Sequence, residues 1–462
     1  MKKFPSPPSL KKLIGPSFII LALGLGSGEV ILWPYMAANY GLGIAWGALL
    51  GITFQYFINM EIERYALVKG ESVFVGIARV WSGAVYWFII STFIGFGLPG
   101  IVAASAQVLG SVLGITEFKW LAMGLLILIG LILSLGKTVY GMMERITKTI
   151  IILGVPFVFV LAVILSSRTD WQALFAGLLG QGMEYSFLPA GIALATFLGA
   201  FAYSGAGGNL NLTQSIYVKE KGYGMGKYSQ KIAGLFAQKG KVQQVKLTGE
   251  NFAVNAENLS NFKKWWRVVS SEHLIVFWFV GLLSMCLLML LSYITVYGTP
   301  GNHIEGISFV INEGKIIGSL LHPVVGIIFL VVVGIMLFQT QLGVMDSTSR
   351  IMAENLAIRK LEHQQKEVVS LSKIYYLFLW SQIAFGIILF LLNIYEPKTL
   401  IVLGAVINAV AMFVHTGLVF IANHKILPKE FRPVWWRKIV MVGIFLFFGF
   451  FSGVVVWDKF IR

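Results

Sequence analysis

The chain has 462 residues, 57% of them hydrophobic and only 12% charged, with a mean hydropathy of +0.79. That is too apolar for a water-soluble globule and marks a multi-pass membrane protein whose solvent is the lipid bilayer. A net charge of +15 would suit a nucleic-acid binder, but the basic residues sit in alternate connections between apolar segments, which is the positive-inside pattern and excludes that partner.

Apolar segments of spanning length recur about eleven times, near 13–37, 42–66, 84–113, 118–136, 146–166, 187–216, 270–296, 316–350, 370–394, 398–423 and 437–456. All are helix-length, so the expected fold is an all-α integral membrane protein. Lys2, Lys3, Lys11 and Lys12 precede the first segment, Arg64, Lys69 and Arg79 follow the second, and Lys137, Arg145 and Lys148 follow the fourth. The N-terminus is therefore expected in the cytoplasm and the C-terminus outside a plasma (inner) membrane. No cleavable signal peptide is expected, because the first apolar segment runs past signal length.

The first segment contains Leu23-Gly-Leu-Gly26-Ser27-Gly28-Glu29. Three glycines weaken the helix, and about 20 Å of helix from Leu13 places the break near the bilayer midplane. A charged group at that depth costs about 2.5–3.5 kcal/mol, so Glu29 is expected to face a cavity. It also sits in the first turn of the outer half-helix, where a carboxylate offsets the helix dipole. The second segment ends in Glu61, Glu63 and Arg64, read as salt-bridged charges at the cytoplasmic surface. Gly136 to Lys148 reads as a cytoplasmic turn with Glu144 beside Arg145.

The sixth segment is interrupted in turn by Tyr203-Ser204-Gly205-Ala206-Gly207-Gly208-Asn209. The first segment runs outward and the sixth inward, so two interrupted helices occupy matching places in two five-helix halves. That is the sequence pointer to an inverted-repeat transporter and its solute site. The expected organisation is a single transmembrane domain, residues 1–462, with a first repeat at about 13–166, a second at about 187–423 and an extra helix at about 437–456. Residues 217–268 read as a basic cytoplasmic loop in which Lys241 to Leu247 alternates like a short strand, and Phe262 to Arg267 resembles an interfacial anchor. Asp346 and Arg350, four apart on one helix face, are a candidate gate or a paired helix end. Gln341, Asn408 and His415 are polar residues within apolar spans; Gln341 and Asn408 are candidates for the cavity wall. Cys286 is expected to be a core residue.

Gly15-Pro16 opening the first span, the break eleven residues later, the break in the sixth span, Val344-Met345-Asp346 followed by Arg350, and Tyr140 to Arg145 together resemble the NRAMP family of divalent metal transporters. The resemblance implies a LeuT-type fold of two inverted five-helix repeats plus an eleventh helix. It departs from that family at the metal site. Where the family carries Asp-Pro-Gly-Asn this chain has Gly26-Ser27-Gly28-Glu29, and where it carries Met-Pro-His this chain has Tyr203-Ser204-Gly205. The family's sixth-helix His is also absent, and Glu29 is the one evident anionic ligand that remains. The substituted stretches resemble the Gly-Ser-Gly and aromatic-Ala-Tyr-x-Gly breaks of amino-acid permeases in the same broad superfamily. There, half-helix amides bind a carboxylate and carbonyls hold an amine.

The expectation is a secondary transporter for a small organic amine or amino acid, held by Gly26, Ser27, Gly28, Glu29, Tyr203, Ser204, Gly205 and Asn209, with Gln341 and Asn408 on the wall. Two alternatives stay open. One is a divalent cation transporter for Mg²⁺, Ca²⁺ or Mn²⁺, with Glu29 as metal ligand. The other is a non-transporting sensor or scaffold. No cofactor is implied beyond a coupling ion, H⁺ or Na⁺, and no nucleophile–base pair or phosphate-binding loop suggests an enzyme.

Overall fold

The computed structural model describes residues 2–8, 15–26, 28–135, 138–192, 194–232, 244–298, 306–365 and 368–460. It is built almost entirely of helices, because in a bilayer the backbone amides and carbonyls must be satisfied within the segment itself. In chain order the helices are α1 (Pro16–Gly24), α2 (Trp33–Tyr40), α3 (Ala45–Lys69), α4 (Val73–Val80), α5 (Ala84–Phe96), α6 (Gly100–Leu113), α7 (Phe118–Leu135), α8 (Val139–Leu165) and α9 (Arg168–Leu178). There follow α10 (Leu194–Ala202), α11 (Thr213–Lys221), α12 (Ala256–His273), α13 (Val280–Thr295), α14 (Ser308–Leu320), α15 (Pro323–Gln364), α16 (Leu371–Leu391), α17 (Pro397–Ile426) and α18 (Trp435–Phe460).

Among the described residues, nine helices are long and apolar enough to cross a membrane, and ten if the pair Pro16–Gly24 and Gly28–Tyr40, bent by 41°, counts as one span. The expected sixth span adds to these as two nine-residue pieces, α10 and α11, each too short to cross alone. The third span is divided between Phe96 and Gly100, around Pro99, which lacks the amide hydrogen a helix interior uses.

Four local expectations change. The helix expected from 146 starts at Val139, because the Thr138 side chain accepts from Gly141 N and caps it, so the expected turn at Glu144 is helical. The helix expected to end at 350 continues to Gln364, since residues 351–364 contain neither Gly nor Pro to stop it. Asp346 and Arg350 therefore lie inside α15, away from its end.

The charges of Glu61, Glu63 and Arg64 are buried, not at the surface: Arg64 and Arg437 both reach the Glu61 carboxylate, at 2.8 and 2.5 Å, and Arg64 stacks 3.9 Å from the centre of the Trp266 ring. Finally, much of the expected 217–268 loop is ordered structure. It holds the end of α11, a two-residue strand β1 (Val245–Lys246) paired antiparallel with β2 (Val368–Val369), and most of α12; Lys241 to Gln243 of the expected strand lie outside the described residues.

The N-terminal segment packs against these elements. Phe4 is fully buried against Phe252, Phe262 and Phe431, and Phe4 N donates to Asn258 Oδ1 at 3.1 Å.

Candidate functional site

The first break is held open by its neighbours. Gly24 ends α1, and the chain resumes at Gly28 as one π-helical turn leading into α2; Ser27, expected in the site, lies outside the described residues. Ending a helix orphans its last carbonyls, and here Thr340 Oγ1 donates to Ala22 O at 2.9 Å. A Cβ at Gly26 would lie 2.5 Å from Thr340 Cβ, so the break packs directly on α15. Glu29 is fully buried. Its Oε2 accepts a 2.6 Å hydrogen bond from Ser284 Oγ on α13, while Oε1 has no partner among the described residues.

The second break follows the same logic. Gly205, Gly207 and Gly208 have φ of 127°, 72° and 48°, conformations that side-chain-bearing residues rarely adopt. One amide side chain satisfies both lips of this break: Gln55 Nε2 donates to Ala202 O at 2.9 Å and Gln55 Oε1 accepts from Gly207 N at 3.0 Å. Ser204 Oγ accepts from Trp33 Nε1 at 2.9 Å, joining the sixth span to α2. The breaks touch directly. A Cβ at Gly24 would lie 2.7 Å from the Gly205 backbone, and one at Gly28 would overlap the Tyr203 carbonyl.

The polar wall lies on the far side of Tyr203. Asn408 Nδ2 donates to Gly95 O and to Tyr203 Oη, both at 2.9 Å, and Asn209 Nδ2 donates to Ser91 Oγ and Thr92 Oγ1 at 2.8 and 3.0 Å. Gln341 Oε1 accepts from Val102 N at 3.2 Å. Asn209 Oδ1, Asn408 Oδ1 and Gln341 Nε2 are buried without partners among the described residues. A void of ≈ 10 Å³, about one water, lies between Phe96, Tyr203, Gln341 and Leu400. Glu29 does not line it; its carboxyl turns toward Gly281 and Ser284 of α13. The expected site residues therefore fall into two neighbouring groups on either side of the crossing: Glu29 with α13, and Tyr203, Asn209, Gln341 and Asn408 with α5, α6 and α17.

Farther along α15 is a buried ionic cluster. Arg350 Nε contacts both Asp346 oxygens at 2.8 and 2.9 Å, and Arg350 Nη1 reaches Glu220 Oε1 on α11 at 2.7 Å. Tyr217 Oη and Tyr375 Oη also donate to Asp346, at 3.1 and 2.8 Å. The cluster ties α11, the second piece of the sixth span, to α15.

Trp33, Gln55, Ser284 and Thr340 were missed by sequence reasoning. A Gln within an apolar run was a usable signal for Gln55; nothing local marks the others. Among the described residues, no three His, Cys, Asp or Glu side chains come together as a metal cage.

No protein-family model and no curated protein matches this chain. Solved structures do. A manganese transporter of Eremococcus coleocola, in a mutant form, aligns over 98% of this chain and 89% of its own with a TM-score of 0.72 at 11% identity. MhsT in complex with L-phenylalanine aligns over 96% and 98% with a TM-score of 0.52 at 12% identity. Mhp1, a nucleobase-cation-symport-1 family transporter in a closed conformation, aligns over 98% and 95% with a TM-score of 0.53 at 11% identity. These likenesses, together with two broken spans that cross each other, show that this chain has the LeuT-type fold.

Proposed function

We propose that this protein is a secondary transporter related to NRAMP proteins, moving a small solute by alternating access through the crossing of its two broken spans. The observation that carries this reading is the set of buried polar atoms without partners among the described residues on both sides of the crossing: Glu29 Oε1, Asn209 Oδ1, Asn408 Oδ1 and Gln341 Nε2. Buried polar groups are nearly always hydrogen-bonded, and their concentration here fits a ligand or water that completes them. One carboxylate among amides, with glycine backbones alongside, suits a small organic solute bearing an ammonium group. A cation in that position would be drawn to Glu29, and the amides would orient the remaining polar atoms. Alternating access then consists of parting the inner or the outer half-helices around this point.

A divalent cation is the second reading, favoured by the likeness to a manganese transporter. It would use Glu29 with backbone carbonyls and retained waters, as hard ions do.

Thermal stabilisation of the purified protein separates the two. Amino acids or amines should raise the melting temperature, the stabilising compound should enter proteoliposomes, and Glu29→Gln should abolish its pH-dependent uptake. Stabilisation by Mn²⁺, Mg²⁺ or Ca²⁺ alone, lost in Glu29→Gln, would select the metal. Uptake indifferent to Glu29→Gln at every pH would refute the role given to this residue.

A further inference from the structure

On α3, Gln55, Asn59 and Glu63 recur every fourth residue and so form one column on a helix face. Its two ends are anchored to the sixth span: Gln55 bridges the break, and Glu63 accepts from Gln214 Nε2 on α11. Asn59, between them, is buried with neither amide atom partnered among the described residues, and so is Asn211 on the turn that joins the break to α11. Buried amides of this kind call for water. The column thus links the midplane break to Glu63.

Glu63 and His273 are 2% and 0% exposed, and His273 Nδ1 lies 3.5 Å from Glu63 Oε1 and 3.1 Å from Ser17 Oγ. Phe277 and Tyr56 stack on the imidazole, at 4.6 and 5.6 Å. Glu63 Oε2, Gln214 Oε1 and His273 Nε2 are unpartnered among the described residues. Ser17 belongs to α1 and Gln214 to α11, the inner halves of the two broken spans. Both halves are therefore fastened to one acid–imidazole pair on the unbroken helices α3 and α12.

We propose that Glu63 and His273 form a proton-binding site, separate from Glu29, whose proton keeps the inner half-helices closed. This rests on the transport reading above. With the proton, the pair is either neutral or internally compensated. Without it, a carboxylate faces a neutral imidazole in a dry site, which is strongly unfavourable unless water enters. The other ionisable groups around it do not supply compensation. Glu272, on α12, accepts from Gly15 N and Tyr223 Oη at 3.1 Å each; Lys221 is paired with Glu144 on α8, near Tyr140; and Arg437 on α18 is paired with Glu61. Tyr56 meets the imidazole through its ring. Opening of α1 and α11 admits water, and the proton passes to it.

The test uses the full chain in liposomes with Cys286→Ser, and Ile216→Cys as reporter on the buried face of α11. A membrane-impermeant maleimide is applied to the inner side across about pH 5 to 8. The readout is the labelling rate divided by that of the same reporter with Glu63→Gln, which cancels ionisation of the thiol. The ratio should rise with pH by up to about tenfold per unit, the limit for one linked proton. His273→Gln should move the midpoint of the rise, and Glu29→Gln should leave it in place. Melting curves establish that each variant is folded. A ratio constant across pH while the reporter still labels would overturn the proposal and leave alternating access standing. No labelling at any pH would overturn both, and a rise abolished by Glu29→Gln would overturn the separateness of the two sites.

Discussion

Gly28→Ala tests whether the two breaks must meet at backbone distance. The added Cβ would lie 2.5 Å from the Tyr203 carbonyl carbon and overlap its oxygen. Ordinary contact begins near 3.4 Å, so the segments must part by about 0.9 Å or more, and what they meet is backbone that cannot rotate away. Overpacking costs about 1–3 kcal/mol, and this case belongs at the top of that range.

Two other glycines calibrate it. A Cβ at Gly26 meets Thr340 Cβ at 2.5 Å, an atom that side-chain rotation does not move, so α15 must give way there at a cost of about 1–3 kcal/mol, with a smaller overlap than at Gly28. A Cβ at Gly443, on α18, has nothing within 4 Å and should stabilise by about 0.5–1 kcal/mol through reduced chain entropy. Melting temperatures in detergent should therefore fall in the order Gly443→Ala, parent, Gly26→Ala, Gly28→Ala, with solute stabilisation lost in the last. Gly28→Ala melting at or above Gly443→Ala would refute a direct crossing.

Removing Arg350 leaves Asp346 and Glu220 as uncompensated buried carboxylates, so Arg350→Met should destabilise by about 3–5 kcal/mol, read from chemical or thermal unfolding. Adding Asp346→Asn and Glu220→Gln should recover most of that loss; no recovery would mean that the cluster holds by packing alone. Glu313 of α14 is buried and accepts from Ser292 Oγ at 2.8 Å, and burial pushes its carboxyl up to about 8. The folded protein then holds a proton that the unfolded chain releases near 4.5, so this contribution to stability is complete below about pH 4.5 and declines to nothing as pH rises through about 8. Glu313→Gln should flatten the melting temperature across that window, and an unchanged slope would exclude the group. Trp33→Phe removes the donor to Ser204 and should cost about 1 kcal/mol, measured by thermal melting.

The helical class and the two interruptions were legible because they depend on short-range chemistry. Gly24, Gly26 and Gly28, then Gly205, Gly207 and Gly208, fail to hold a helix wherever they occur in such density. Asp346 with Arg350 was legible for the same reason, being one turn apart. What closes on them was not. Glu220 is 130 residues from Arg350, Ser284 is 255 from Glu29, and Arg437 is 376 from Glu61, and no local pattern specifies such pairings. The surface placement of Glu61 and Glu63 failed because a charge run at a helix end reads as solvated, while here α11, α12 and α18 fold over it. The orientation of Glu29 toward α13 was hidden likewise, since periodicity assigns depth along a helix more readily than the neighbour it faces.

The 42 residues of α15 amount to about 63 Å of helix, twice the roughly 30 Å hydrocarbon layer. Such a rod is a lever. A tilt of one degree at its outer end sweeps Gln364 through on the order of 1 Å, so small rearrangements around Gln341 and Asp346 are magnified at the strand pair beyond the tip, where a fluorophore would register them.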